Sequence, residues 1–243
     1  MPHKDALISN DLRDSKEKSA KINEIDKNKN TQKLIREVII GDIKNVKALL
    51  QEGVNINDTD EDGCTALISA VKHDRIEIVE ILLAVEGIDV NILDNSGQSA
   101  FVHAISTAGS EFARIMNSIG EEAVKIEETK AARVKIIDLL LESKKVNINA
   151  FDGCGNSLLM SAVFDGDEDI FDKILNTEGL QINSANNGIN ALLIAVSDTN
   201  VNFVEKLIKY GADVNTVAKE YWDEYYEKYI KNQKKLYETI FLI

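Results

Sequence analysis

The chain has 243 residues, 44% of them hydrophobic but only 6% aromatic, and a formal net charge of -13. That length suits one ordinary domain or one array of repeats, and the apolar share is ample for a core. The negative field repels phosphate backbones and argues against nucleic acid as a partner, while a basic protein partner and plain solubility account for it equally well.

Residues 1–30 carry seven Lys/Arg and six Asp/Glu, with Leu7, Ile8 and Leu12 as a small apolar patch. They read as a mobile charged arm. Residues 216–243 hold five charges of each sign, so the acidic excess belongs to the middle of the chain. The only proline is Pro2, which permits long helices after it. No apolar run reaches bilayer-spanning length, and no charged-then-apolar leader is visible. A cytoplasmic location and no membrane contact are expected, with export to a host cell without a cleavable signal as the alternative. Cys64 and Cys154 are too few for a disulfide framework.

From Thr31 the text becomes periodic. The strings LIREVII and IKNVKALL predict two short helices between Leu34 and Leu50, leaving through GVNIN to Asn57. Asp58-Thr-Asp60-Glu-Asp62-Gly63 then has the opening of a calcium loop. Such a loop needs a bidentate glutamate at its twelfth position, and here that position is Ser69. A hydroxyl cannot close the coordination sphere, so no metal is expected.

Self-similarity gives that string another meaning. Asp60-Glu-Asp-Gly63-Cys-Thr65-Ala-Leu67 is echoed by Asp94-Asn-Ser-Gly97-Gln-Ser99-Ala-Phe101 and by Asp152-Gly-Cys-Gly155-Asn-Ser157-Leu-Leu159. Asn187-Gly188-Ile-Asn190-Ala-Leu192 is a shorter copy. Each copy leads into an apolar run, beginning at Ile78, Ile136, Ile170 or Phe203, and each exits through an apolar-Asn pair ending at Asn91, Asn149, Asn183 or Asn215. With the opening helices this makes five units, at about 31–57, 58–91, 92–149, 150–183 and 184–215. The glycines supply a left-handed turn, and Thr65, Ser99, Ser157 and Asn190 stand where an N-cap oxygen is needed. Ala70, Ala104, Ala162 and Ala195 let neighbouring first helices approach closely. No unit buries its apolar face alone, so stacking stabilises the array.

The third unit is longer by 24 residues, at about 105–132, between its two helices. Phe112, Ile115, Met116 and Ile119 fall at helical spacing, and Ala123, Val124, Ala131 and Val134 form a second stripe. Both helices are therefore expected to lengthen by about 12 residues each, making a protruding hairpin. After Asn215 comes an amphipathic segment holding Trp222, Tyr225, Tyr226 and Tyr229. A capping helix over the last unit is expected at 216–243, a partner-binding aromatic stripe being the alternative.

These motifs resemble the ankyrin repeat, D-x-x-G-x-T-P-L-H-x-A followed by a second helix and G-A-D-V-N; Gly211-Ala-Asp-Val-Asn215 matches the last letter for letter. The resemblance covers about Thr31 to Asn215. Its departures are consistent: alanine or leucine replaces the proline at 66, 100, 158 and 191, and Ile68, Val102 and Met160 replace the histidine. It implies an all-α solenoid of stacked helix-turn-helix units with short β-type finger loops. It also implies a protein-binding module that uses its finger tips and the concave face of its first helices. Mapped by register, those positions are Glu61, Asp62, Cys64, Lys72 and His73, then Asn95, Ser96, Gln98, Ser106 and Thr107. The fourth unit gives Gly153, Cys154, Asn156, Phe164 and Asp165, and the fifth gives Asn187, Ile189, Ser197 and Asp198. Phe164 stands out, because a large apolar residue on an open face is a candidate hot spot; local packing explains it as readily.

His3, His73 and His103 have no metal-ligand spacing, and no phosphate-cradling or nucleophile motif is present. His103 reads as a partly buried helix residue. The expectation is a non-enzymatic scaffold or adaptor, monomeric, without cofactor, binding a protein partner with a basic surface. The alternatives are an effector or inhibitor that works through the inserted hairpin, and an enzyme whose site is not recognised.

Overall fold

The computed structural model describes residues 29–106 and 121–215. The expected arm before residue 29, most of the inserted segment, and the expected cap at 216–243 lie outside them. Two compact units make up the chain, Met1–Ile88 and Asp89–Ile243.

In the first unit, residues 29–40 form α1, followed by α2 (Ile43–Gln51), α3 (Ala66–Lys72) and α4 (Ile76–Leu83). Burial follows the apolar spacing: Leu34, Ile35 and Val38 on α1, Val46 and Leu49 on α2, Ile78, Val79 and Leu82 on α4. Every residue of α3 from Ala66 to Val71 is buried, Ser69 being the one polar side chain among them. α4 packs against both α3 and α2.

The second unit holds α5 (Ala100–Ile105), α6 (Glu121–Glu142), α7 (Leu158–Asp165), α8 (Glu168–Leu175), α9 (Ala191–Ser197) and α10 (Val201–Lys209). Between α8 and α9 lies a two-stranded hairpin, β1 (Ala185–Asn186) and β2 (Ile189–Asn190). First helices α5, α7 and α9 pack side by side, with second helices α6, α8 and α10 behind them. Ala104, Ala162 and Ala195 are fully buried in the first layer, where a larger side chain would force the helices apart.

The four caps lie where the sequence places them. Thr65, Ser99, Ser157 and Asn190 accept from the amides of Ile68, Val102, Met160 and Leu193, each three residues on. One contribution is not apparent in the sequence pattern. The exit asparagines sew each unit to the next: Asn91 Nδ2 donates to the Lys145 carbonyl at 3.0 Å while its Oδ1 accepts from the Asn147 amide at 2.8 Å. Asn149 does the same with Gly179 and Gln181, and Asn183 with Gly211 and Asp213. An amide side chain can give and take at once, which fits asparagine at a junction between two parallel loops.

The insertion departs from expectation in one half. The second helix is lengthened, α6 having 22 residues against 8 for α8. The first is not, because α5 stops at Ile105 and Ser106 is extended at ψ 103°. Two cations fasten α6. Arg133 is buried, and its Nη1 donates to the carbonyl of Ser106, filling an acceptor that the end of α5 leaves open. Lys130 Nζ sits 3.0 Å from Asp167, the N-cap of α8, and 3.2 Å from Asp169. The Asp167 hydrogen bond, helped by Asp169, raises the Lys130 pKa against the opposing effect of burial. Further along, Lys173 Nζ meets Asp138 at 2.6 Å, and Lys206 Nζ bridges Asp172 and Glu168, each at 2.7 Å. The second-helix layer is thus laced across its outer side.

Candidate protein-binding surface

The first finger shows why its acids are spaced as a calcium loop would space them. Asp60 Oδ1 accepts from the amides of Asp62 at 3.0 Å and Cys64 at 2.8 Å. Gly63, at φ 76°, closes the turn with its amide on the Asp60 carbonyl. The carboxylate therefore faces the loop's own backbone. Asp58 takes Asn55 Nδ2 at 2.6 Å and Thr31 Oγ1 at 3.4 Å. Alternate acids here serve two different local structures. Among the described residues no group of three His, Cys, Asp or Glu is placed to hold a metal ion.

Asp152 repeats the Asp60 geometry, with the amides of Cys154 and Asn156 on its Oδ1. In the last finger Asn187 and Gly188 both have positive φ, 50° and 79°, so the hairpin turns as type I′ and needs no aspartate.

Asp94 is the most elaborate of the set. Its Oδ1 accepts from the Ser96 amide and hydroxyl and from the Gln98 amide, and its Oδ2 lies 2.7 Å from His103 Nε2. Burial works to raise its pKa, but the hydrogen bonds from Ser96, Gln98 and His103, with the charge of His103, hold it at about 2. His103 is thus a half-buried structural residue that ties α5 back to its own finger. Since the folded pKa lies below the ordinary 3.8, this stability is present above about pH 3.8 and lost as pH falls through about 2. Urea unfolding of the native chain and of Asp94→Asn should show it. The two differ at pH 5 by about 2 kcal/mol and converge near pH 2; a gap independent of pH would refute the assignment.

The positions mapped from the repeat register divide as follows. In the first unit Glu61, Asp62, Lys72 and His73 are exposed. Cys64 is a correction: only 4% is exposed, because its amide and carbonyl are both paired to Asp60 beneath the turn and its sulfur faces Lys72 Nζ at 3.7 Å. In the second unit Asn95, Ser96, Ser106, Gly153, Cys154, Asn187 and Asp198 are exposed. Gln98, Asn156, Asp165, Ile189 and Ser197 are half-buried, Gln98 and Asn156 because their amides are drawn in by the finger aspartate. Thr107 lies outside the described residues. Phe164 is 57% exposed at the end of α7. Because α7 packs between α5 and α9, their C-terminal ends bring Ser106, Phe164, Asp165, Ser197 and Asp198 to one rim.

Two apolar features are absent from that map. Leu93 and Phe151, 42% and 39% exposed, edge a cleft of about 230 Å³ lined by Val102, Val146, Ala150 and Leu158. Both precede the finger aspartate by one residue, where the other two fingers have Thr59 and Ala185. In the first unit Ile39 and Ile40 are 36% and 58% exposed at the end of α1. The alignment of Ile39-Ile40-Gly41 with Phe164-Asp165-Gly166 was the signal available for them.

A family model described as ankyrin repeats, in sets of three copies, matches residues 34–125 and 129–218. No curated protein matches the chain.

Proposed function

Since the chain belongs to the ankyrin-repeat family, whose arrays mediate protein–protein interaction, we propose that it is a non-enzymatic adaptor that holds a basic protein partner on its first-helix rim. The observation that carries this is Phe164. A phenylalanine more than half exposed, at the end of a helix whose other apolar residues are buried, is available to a partner. Asp165 and Asp198 flank it with negative charge, which favours a lysine- or arginine-bearing surface around an apolar pocket. The exposed finger residues Asn95, Ser96 and Cys154 extend the contact. The closed backbone of each finger, held by its aspartate, presents these side chains without a large ordering cost on binding.

The test uses the full chain as bait in its native lysate, with captured proteins identified by mass spectrometry. Phe164→Ala combined with Asp165→Asn should abolish recovery of the specific partner, while the circular dichroism spectrum is unchanged. Unchanged recovery would sink this reading. Loss on replacing Lys130 and Arg133 alone, with Phe164 intact, would move recognition to the insertion that those cations fasten.

A further inference from the structure

We infer that Arg133 and Lys130 are the positioning residues of the rim: they close the third repeat beneath its insertion, so that Ser106 and Phe164 keep one spacing for a partner. The inference rests on the reading that a partner sits on the rim, and it adds what holds that rim in place.

The register of the second helices gives Arg133 its role. Buried Leu49, Leu82, Ile174 and Leu207 each stand seven residues after the N-cap of their helix, which is Asp42, Arg75, Asp167 and Asn200. Buried Leu140 stands seven residues after Arg133. The other second helices begin at that position, whereas α6 starts well before it, at Glu121. In three repeats the amide of the cap residue closes the corner on the carbonyl five residues back: Asp42 on Glu37 at 3.0 Å, Arg75 on Ala70 at 2.9 Å and Asn200 on Ala195 at 3.0 Å. Arg133 lies inside a continuous helix, where the amide belongs to the helix ladder. Its side chain makes the closure instead. Buried Arg133 donates from Nη1 to the Ser106 carbonyl, with the His103 carbonyl 3.5 Å away, both at the end of α5. A guanidinium is long, permanently charged and forked, which lets one side chain stand in for a main-chain bond.

Lys130 carries the closure to the next repeat. It precedes Arg133 by three residues, so the two share a face of α6. Its Nζ meets Asp167 at 3.0 Å and Asp169 at 3.2 Å. Asp167 caps α8 and follows Phe164 through Asp165 and Gly166, which is left-handed at φ 76°. One face of α6 thus grips Ser106 on one side and the segment just after Phe164 on the other. These two rim residues are counterparts, each seven residues after its own cap, Ser99 or Ser157. A surface whose parts are held before a partner arrives loses less freedom on binding.

The experiment uses the full chain labelled with nitrogen-15, free and titrated with a synthetic amphipathic peptide of leucine and lysine as the basic, apolar probe. Arg133→Met keeps the length and removes the donors, and Arg133→Lys restores one charged donor group. In the free chain Arg133→Met should speed amide exchange of residues 104–106 about tenfold, with residues 201–209 within about twofold of native. Arg133→Lys should recover most of that difference, and Lys130→Met should instead shift the amide signals of residues 163–167. The peptide should bind Arg133→Met about fivefold more weakly than the native chain, with lysine again recovering it. Equal acceleration at 104–106 and 201–209 would make Arg133 an ordinary stabilising residue and overturn the inference. Outright loss of the peptide in Arg133→Met, with native exchange at 104–106, would give the peptide to the insertion and also overturn it. Exchange as expected with no peptide response in the native chain would uphold the closure and sink the rim reading, so the two fail separately.

Discussion

Phe171→Ala should destabilise the second unit by about 3–5 kcal/mol, the usual range for removing a fully buried phenylalanine. The side chain is 0% exposed on α8, and its ring stacks on Phe203 of α10 with centroids 4.1 Å apart and an interplanar angle of 11°. The pair joins two consecutive second helices, so the loss falls on the junction between units as well as inside one. Stacking of this kind adds about 0.5–1.5 kcal/mol beyond burial. In an array stabilised by neighbours, a weakened junction also lowers cooperativity. Urea unfolding followed by far-ultraviolet circular dichroism should show an earlier and broader transition. Hydrogen exchange should quicken across residues 191–209 more than across residues 66–83. Phe171→Leu keeps most of the volume and loses only the stack, so it should cost about 1.5 kcal/mol or less. If leucine and alanine are equally damaging, the ring contact itself dominates and the burial argument fails.

What the sequence disclosed, and what it did not, follows the range of the interactions. The caps at Thr65, Ser99, Ser157 and Asn190 were legible because a cap is a contact over three residues. The finger glycines were legible for the same reason, since a left-handed turn is a property of one residue. Phe164 was flagged by its place in the register, and its exposure needed only the fold. By contrast Cys64 shares its register position with Gln98 and Asn156, which are half-buried; its deeper burial comes from packing beneath the turn. Arg133 sits just past the inserted residues, between Ala131 and Val134, where an apolar stripe was sought and a buried cation was not. Its role depends on where α5 stops, and Ser106 stops it 27 residues earlier. Ile39 and Ile40 lie in a unit without Asp-x-x-Gly, so only the match of Gly41 to Gly166 places them at a helix end. Half of the candidate surface was thus readable as positions, while burial and local charge had to come from tertiary structure.

Gly97→Ala should cost about 3 kcal/mol, and Gly179→Ala only about 1 kcal/mol, although the two backbones are nearly alike at φ 78° and 81°. The shared part is the strain of a β-carbon in the left-handed region. What differs is the neighbour. Gly179 has nothing within 4 Å of an added β-carbon, whereas the one on Gly97 would overlap the Cα of Gly153 in the next finger. The two fingers meet there through the Gly153 amide, which donates to the Gly97 carbonyl at 2.7 Å. Separating them to admit a methyl group sacrifices that bond and the fit around it, about 1–3 kcal/mol in all. Gly153→Ala isolates this second part. Its β-carbon would stand 2.6 Å from Gly97 Cα, and its φ carries no left-handed penalty. Thermal unfolding of the three variants should rank Gly97→Ala lowest, Gly153→Ala next and Gly179→Ala closest to native, at about 2–4 °C per kcal/mol. A native melting temperature for Gly153→Ala would show that the fingers are free to part. If they are held, the tips bearing Asn95, Ser96 and Cys154 form one fixed platform, and a partner meets them as a single preorganised surface rather than as two loops.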